Sequence, residues 1–463
     1  MEISRPKSIR TILIFPWLAH GHISPFRQLA KKLSKRNIFI YFCSTPVNLS
    51  SVKPMVSLKE SLCIQLVEFH LPSLPDLPSH YHTTKGLLPH LMNTLKNAFD
   101  MASHRFSEIL KTLKPDLVIY DFLQPWAPKL ASLQGIPAVV FLCFSAVMTS
   151  FTLHAIKNDA GGTYEHVNDL FPYPEIYLHD YERQKFVNLI ENDVNGVKDK
   201  DRAHQCFEGS SEIILIKSFR EIEGKFMDYL CGLLNKRMIP VGPLVRVPME
   251  EHEKAERLMK WLEKKKPSST VFVSFGTEYF LSPEEREEMA YGIELSMVNF
   301  IWVLRFPVGE KTNIEKELPR GFLERTGERG MVVEGWAPQV KILLNRSIAG
   351  FVSHCGWSSV MESISVVVPI IAMPMHLDQP LNARLVENIG IGIEVRRNKK
   401  GCLERKDIAK ATKEVVVVEG SGGNIRRKVK EMSEIVKKKG EEEIDGVVDE
   451  LVKLCGIKKT ANP

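Results

Sequence analysis

The stretch AGFVSHCGWSS, residues 349–359, places a histidine and a glycine where an apolar strand turns into a helix. The strand ends at His354, and Gly356 follows just before the predicted helix. Backbone N–H groups at a helix start form an anion site, which a small residue lets a ligand approach closely. A diphosphate is a natural occupant, with His354 as a side-chain donor, although a histidine at the end of a buried strand can also be purely structural.

Two series of alternating strands and helices position this site. Uninterrupted apolar runs, typical of parallel strands covered on both faces, recur in each series between helical patterns. The first series contains TILIFPW, IFIYFCS, IQLVEFHL, DLVIYD, AVVFL and EIILIKS. The second contains STVFVSFGTEYF, FIWVLRF, MVVEGW, AGFVSHC, VPIIAMP and GIGIEV. This order predicts an α/β fold with two doubly wound parallel sheets, whose ligands lie at the carboxyl ends of the strands.

The segments between these runs carry weaker patterns. A long helical stretch is predicted from about Leu91 to Leu113, and the tail from Asn424 to Cys455 is predicted to be helical and charged. Residues 151–205 read as loops and short helices over a cleft, and the Pro- and Gly-containing residues 241–256 read as a linker. Ser282 and Glu285 have the spacing of a capping box that opens a helix.

Composition excludes several classes of function. The 463 residues carry a formal charge of only +6 and lack an apolar run of about 18 residues, so neither nucleic-acid binding nor a membrane span is expected. The eight cysteines show no metal-binding spacing, and with no recognisable signal peptide they predict a cytoplasmic protein with free thiols. No GxxxxGK[ST] motif and no GxGxxG after a strand is found, so a P-loop and a dinucleotide fingerprint are also excluded.

The segment from Trp336 to Gln379 resembles the signature box of plant secondary-product UDP-glycosyltransferases, family 1 of the glycosyltransferases. The matching pieces, in order, are WAPQ, GFVSHCGW, ES, VPII, MP and DQPLNA. FPWLAHGHISPF, YDFLQPWA and VFVSFGTEYF extend the resemblance over essentially the full chain. It implies the GT-B architecture, in which two Rossmann-like domains face each other across a cleft. The domains would be an acceptor-binding domain at 1–240, a linker at 241–256, a UDP-sugar-binding domain at 257–435, and a C-terminal helix at 436–463 that packs back on the first domain.

The resemblance also implies roles for individual residues. Trp336 would stack its indole on the uracil, and Gln339 and Glu362 would bind ribose hydroxyls. The full set expected to hold UDP is Trp336, Ala337, Gln339, Glu362, Thr277, His354, Gly356, Ser358 and Ser359. The set expected to contact the donor sugar is Trp357, Asp378, Gln379 and Cys143.

His22 is implied as the general base that removes the acceptor proton, and Asp121 as the carboxylate that holds it and stabilises the imidazolium. His20 is the alternative base, but the GH match favours His22. Acceptor contacts are expected from Trp17, Phe122, Gln124 and Ser145, each of which could equally be a core residue. The reaction needs no metal, and DKD at residues 199–201 reads as a solvated loop and not as a metal site.

Three residues depart from the family pattern. Ser358 stands where asparagine is usual, although its hydroxyl is still expected to cap the helix. Val367 stands where glycine is usual, which would strain a backbone with positive φ. Cys143 stands where threonine is usual, and a thiol is a weaker hydrogen-bonding group than a hydroxyl.

The function expected from the resemblance is inverting hexosyl transfer from UDP-glucose to a sugar hydroxyl of a flavonoid, terpenoid or similar glycoside, by a monomer that uses no cofactor. The alternatives are an aglycone O-glucosyltransferase, a UDP-sugar epimerase and a weakly active UDP-sugar-binding protein. Gln379 favours UDP-glucose as the donor, while UDP-xylose, UDP-rhamnose and UDP-glucuronate stay open.

Overall fold

The computed structural model describes residues 10–53, 60–158, 163–245, 253–306, 313–416 and 420–456. Within these ranges the chain folds as two compact units. The first takes its described residues from 1–153, 189–244 and 438–463, and the second from 154–188 and 245–437. Residues 246–252 of the predicted linker lie outside the described part of the chain.

The first unit is built on a seven-stranded parallel sheet. Its strands are β1 (Arg10–Phe15), β2 (Ile38–Ser44), β3 (Ile64–Glu68), β4 (Leu117–Tyr120), β5 (Ala138–Leu142), β8 (Ile213–Ile216) and β9 (Arg237–Pro240). Their order in the sheet is β3-β2-β1-β4-β5-β8-β9. A separate hairpin pairs β6 (Asp193–Val194) with β7 (Val197–Lys198) in antiparallel fashion. The predicted strands are confirmed, whereas β9 and this hairpin were not predicted.

The second unit contains a six-stranded parallel sheet. Its strands are β10 (Thr270–Ser274), β11 (Asn299–Leu304), β12 (Gly330–Glu334), β13 (Ile348–Ser353), β14 (Ile370–Ala372) and β15 (Gly392–Glu394). They are ordered β12-β11-β10-β13-β14-β15. Chain order therefore reverses between β10 and β13, as it does between β1 and β4 in the first sheet. Crevices for ligands open at the carboxyl ends of strands at such reversal points.

Helices connect the strands of both sheets. Those up to the end of β9 are α1 (His20–Ser34), α2 (Pro46–Val52), α3 (Met92–Met101), α4 (Ser103–Leu113), α5 (Trp126–Ser132), α6 (Ala146–Asn158), α7 (Val167–Leu170), α8 (Asp180–Ile190), α9 (Asp199–Gly209) and α10 (Arg220–Leu234). Those that follow are α11 (Glu253–Glu263), α12 (Pro283–Ser296), α13 (Ile314–Glu317), α14 (Phe322–Thr326), α15 (Gln339–Leu343), α16 (Trp357–Ser365), α17 (Gln379–Asn388), α18 (Arg405–Val416), α19 (Ser421–Lys439) and α20 (Glu442–Gly456).

The last helix, α20, belongs to the first unit. Ile444, Val447, Leu451 and Leu454 form one apolar stripe at helical spacing and are buried in the same core as β1 and β4. On the polar side, Arg36, two residues after the end of α1, pairs with Asp445 at 2.6 Å. The end of the sequence thus completes the core that the beginning of the sequence starts.

Several local expectations change in the structure. The helical stretch after Leu91 is two helices, because the backbone leaves helical geometry at Ala102. The DKD motif is the first turn of α9 and not a solvated loop: Asp199 is buried, and it accepts hydrogen bonds from the ammonium of Lys96 and from Asn192. Residues 154–188, which fall inside the predicted domain 1–240, group with the second unit.

Two other expectations are met in detail. Ser282 and Glu285 form the predicted capping box, in which each side chain bonds the other residue's backbone N–H. Val367 has φ of +62°, so a β-branched residue does occupy the left-handed region. Such a conformation costs on the order of 1–3 kcal/mol.

Candidate active site

His22 and Asp121 meet at the reversal point of the first sheet. His22 lies in the first turn of α1, directly after β1, and Asp121 follows β4, the strand paired with β1. The His22 Nδ1 atom is 2.8 Å from Asp121 Oδ2. The carboxylate is fully buried, whereas 19% of the His22 side chain is exposed. The predicted pair is therefore assembled, with the imidazole as its accessible member.

The Asp121 carboxylate is held from several directions. Its Oδ2 also accepts the backbone N–H of Trp17 at 2.9 Å, and its Oδ1 accepts the N–H of Phe122 at 2.8 Å. The backbone N–H of Asp121 donates to Gln124 Oε1 at 3.1 Å. Because a carboxylate only accepts hydrogen bonds, His22 must donate from Nδ1, and the neutral ring then carries its basic lone pair on Nε2.

The residues expected to bind the acceptor differ in their surroundings. Phe122 stacks on the His22 ring, with a centroid distance of 5.6 Å and an interplanar angle of 24°. Trp17, Gln124 and Ser145 are buried, and Ser145 Oγ accepts the N–H of Met148 inside α6. Phe122 is thus the only one of these four that is partly exposed.

Cys143 lies beneath the start of α1. Its Sγ is 4.0 Å from the carbonyl oxygen of His22, and the residue is buried. Burial, reinforced by the charge of Asp121, raises the pKa of the Cys143 thiol well above its ordinary value. The sulfur is therefore a neutral packing group that supports the backbone of His22.

In the second unit, His354 lies between two glycines at the reversal point of β10 and β13. A Cβ on either Gly276 or Gly356 would lie 2.6 Å from His354 Nε2, so no side chain fits on either glycine with the ring in place. Burial, followed by the charges of His376 and Arg305, lowers the pKa of His354 to about 3. The ring is neutral at physiological pH and can donate one hydrogen bond.

The start of α16 follows this histidine directly. Gly356 occupies the N-cap position of the nine-residue helix and provides no side-chain cap. Ser358 is already inside the first turn, so the expected capping role of its hydroxyl is wrong: the N-cap is Gly356, two residues earlier. Trp357 and Ser359 are buried, whereas Thr277 after β10 is exposed.

A polar cluster joins α15 to α16. Gln339 Nε2 donates to Glu362 Oε2 at 2.7 Å and lies 3.3 Å from Ser359 Oγ. Trp336 lies before α15, with 53% of its surface exposed, and the neighbouring Ala337 is buried. Three polar side chains and an open indole thus occur on neighbouring elements.

Asp378 and Gln379 lie at the start of α17, after a turn through residues 374–378. Gln379 Oε1 accepts the N–H groups of Met375 and His376 at 3.0 and 3.1 Å. The carbonyl of this side chain is therefore used inside the protein, and its NH₂ group is the part suited to a ligand. Asp378 Oδ2 accepts from Asn382 Nδ2 at 2.7 Å.

Two family models match the chain one after the other. Residues 8–246 match the model described as "Glycosyltransferase, N-terminal domain", and residues 249–448 match "UDP-glucoronosyl and UDP-glucosyl transferase". This chain belongs to the UDP-glycosyltransferase family. The expected fold class and enzyme class are confirmed with it.

Similar proteins agree with this assignment of the UDP-glycosyltransferase. The chain is 51% identical to Mogroside IIIx synthase of Siraitia grosvenorii, over 99% of this chain and 96% of that protein. It is 49% identical to beta-D-glucosyl crocetin beta-1,6-glucosyltransferase of Gardenia jasminoides, over 95% and 98%. The crystal structure of UGT73P12 from Glycyrrhiza uralensis, in complex with glycyrrhetinic acid 3-O-monoglucuronide, superposes with a TM-score of 0.81 at 22% identity and 96% coverage of both chains, which shows the shared fold.

Sequence reasoning missed two residues of the UDP-glycosyltransferase's second unit. Asn382 is fully buried and donates both to Asp378 and to the carbonyl oxygen of Cys355, at 2.9 Å, so it links the middle of the signature box to its end. His376 stacks on Tyr279 at 5.2 Å, and burial together with Lys185 lowers its pKa to about 4. Asn382 could have been found from its i+4 spacing to Asp378, which places both on one helix face.

In the part of the chain that the structure describes, no helix has the length and apolarity to cross a membrane.

Proposed function

We propose that this UDP-glycosyltransferase moves glucose from UDP-glucose to a sugar hydroxyl of a small-molecule glycoside, with inversion at the anomeric carbon. The single observation that carries the mechanism is the 2.8 Å contact between His22 Nδ1 and the buried Asp121 carboxylate. It fixes one tautomer of the imidazole and so supplies a base for a hydroxyl group.

In the proposed step, the acceptor O–H proton moves to His22 Nε2 as the oxygen attacks the anomeric carbon. The new C–O bond forms on the face opposite the leaving group, the bond from that carbon to the diphosphate oxygen breaks, and UDP departs with the electron pair. Asp121 stabilises the imidazolium that results, since its negative charge lies beside the protonated ring.

The donor would be held by the second unit. Trp336 offers an exposed indole face for the uracil, and the amide–carboxylate pair of Gln339 and Glu362 suits the ribose hydroxyls. Charge on the departing diphosphate would be met by the neutral His354 and by backbone N–H groups at the start of α16. We propose that Thr277, Gly356, Ser358 and Ser359 complete this group, and that no metal is needed.

The sugar itself would be read by Asp378, as an acceptor of hydroxyl hydrogens, and by the NH₂ group of Gln379, as a donor. Trp357 and Cys143 are buried and would act by packing. A sugar-on-sugar reaction is supported by the relative whose name specifies a glucosyl crocetin acceptor. We further propose that the enzyme works as a monomer in the cytoplasm, which its free thiols permit.

The test is incubation with UDP-glucose and a panel of flavonoid and terpenoid glucosides and their aglycones, with mass spectrometry of the products. We expect a mass gain of one hexose on the glucosides, unchanged by EDTA. Gain on aglycones alone would assign an aglycone glucosyltransferase, and conversion of UDP-glucose without an acceptor would assign an epimerase.

A pair of histidine variants separates catalysis from folding. His22→Ala should abolish transfer, whereas His20→Ala, two residues away at the start of the same helix, should retain most of it. Full activity of His22→Ala would overturn the mechanism, and binding of UDP-glucose by a wild-type protein that transfers nothing would indicate a binding protein.

A further inference from the structure

A buried ion cluster joins α8 to α17 within the second unit. Arg384 of α17 lies 2.7 Å from Glu182 of α8 through one guanidinium nitrogen, and 2.7 Å from both carboxylate oxygens of Glu394 through another. All three side chains are buried, with Arg384 only 2% exposed. A guanidinium satisfies two carboxylates because its donors are arranged in a planar fork.

Additional contacts fix the α8 side of this cluster. The ring of Tyr177 lies 5.1 Å from the Arg384 guanidinium carbon, within the range of a cation–π contact. Glu182 Oε2 also accepts the backbone N–H of His179 at 2.8 Å, which closes the first turn of α8. Residues 177–182 are thus attached to the helix that begins with Gln379.

The same α8 reaches the turn that precedes Gln379. Lys185 Nζ donates to the carbonyl oxygen of Met375 at 3.3 Å, and Arg397 donates to that of Pro374 at 2.9 Å. Gln379 binds the same turn as well, through the N–H groups of Met375 and His376. The backbone of this turn is therefore held by side chains from three separate segments.

We propose that Glu182 and Lys185 are positioning residues for the donor-sugar turn, residues 374–379, and that they set how well the enzyme distinguishes UDP-glucose from UDP. This inference rests on the proposed function. Neither residue belongs to the signature box; both come from the segment 154–188, which lies between two stretches of the first unit in sequence but groups with the second unit. Because this segment holds the donor-sugar turn, a substitution in the segment can alter the geometry of the turn. The residues that would contact UDP need not change.

The contacts of Glu182 and Lys185 should affect binding of the sugar and not binding of the nucleotide. Lys185→Met removes one exposed donor to the turn and leaves the helix intact, so we expect Kd and KM for UDP-glucose to rise roughly three- to tenfold. The Kd for UDP, which lacks the sugar, should stay unchanged. Glu182→Gln should produce the same pattern more strongly, since it weakens the link to Arg384, and Lys185→Arg should restore most of the wild-type affinity.

Isothermal titration with UDP and with UDP-glucose, together with melting temperature, provides the measurement. Gln184→Met, an exposed position on the same helix, is the matched control and should change neither affinity. Equal weakening of UDP and UDP-glucose in the Lys185 and Glu182 variants, or no weakening of either, would overturn the inference. Because binding is measured without an acceptor, failure of the proposed transfer shows separately as a wild-type protein that binds UDP-glucose without forming product.

Discussion

Replacing Asp121 with asparagine tests whether its charge, or only its geometry, supports His22. An amide has one oxygen, while the carboxylate uses both of its oxygens as acceptors. At the Oδ2 position an NH₂ group would face two donors, the N–H of Trp17 and the Nδ1–H of His22; at the Oδ1 position it would face only the N–H of Phe122. The amide should therefore keep its oxygen towards His22 and preserve the tautomer.

What the variant loses is charge. Two unit charges about 4 Å apart interact with roughly 4 kcal/mol at an effective dielectric constant of about 20, and a neutral hydrogen bond retains about 1 kcal/mol of this. The remaining loss of about 3 kcal/mol corresponds to a decrease in kcat/KM of roughly 100-fold. The imidazolium becomes less stable, so the acid limb of the pH–rate profile should move to lower pH.

The assay is steady-state transfer from UDP-glucose to the best glucoside acceptor over pH 5–9, with Asp121→Leu as the comparison. The leucine variant loses both the charge and the orientation of His22, so it should be slower still. A decrease below threefold for Asp121→Asn, or equal rates for the two variants, would refute the assignment of the effect to charge.

Three further outcomes follow from described residues. Val367→Gly should raise the free energy of unfolding by about 1 kcal/mol, because relief of strain at φ +62° exceeds the entropic cost of glycine. The control Val366→Gly, at φ −105°, should lower the free energy of unfolding. Urea denaturation measures both variants, and a loss of stability in Val367→Gly would contradict the presence of strain. Burial and then Glu221 raise the pKa of Glu443 to about 8, so its contribution to stability is present in full below about pH 4.5 and is lost as pH rises through 8. Glu443→Gln should therefore be more stable than wild type at pH 8 by about 1–2 kcal/mol, after discounting for partial exposure, and thermal unfolding from pH 5 to 9 that shows a constant difference would disprove this. Ser358→Asn should lower KM for UDP-glucose, since the longer amide reaches further from the first turn of α16, and initial-rate kinetics with an unchanged or higher KM would show that the serine is no handicap.

The strands that carry the sites were predictable because each is a long apolar run. Few other kinds of sequence suit a strand that is covered on both faces. His22, Asp121, His354 and Asp378 follow such runs or adjoin the turns after them, so their placement at the carboxyl ends of strands followed from topology. The edge strand β9 was missed because its four residues contain only one buried side chain and a proline.

The contacts that join Glu182 and Lys185 to α17 and to the donor-sugar turn could not be predicted from the sequence. Glu182 and Arg384 are 202 residues apart, and a glutamate on a polar helix looks like a solvated side chain until its partner is known. The burial of Asp199 by Lys96, 103 residues away, has the same character. The local sequence pattern indicates which face of a helix or strand is apolar. It does not indicate which charged side chains pair with residues far away in the sequence.

The position of α20 has a consequence for how the protein is made. The core around β1 and β4 includes Ile444, Val447 and Leu451, which the ribosome adds only after residues 245–437 of the second unit. The first unit therefore cannot bury part of its apolar core until synthesis of the whole second unit is complete. At about 5–20 residues per second this interval lasts roughly ten seconds or more, and during it the nascent chain depends on partial structure or on chaperones to avoid aggregation.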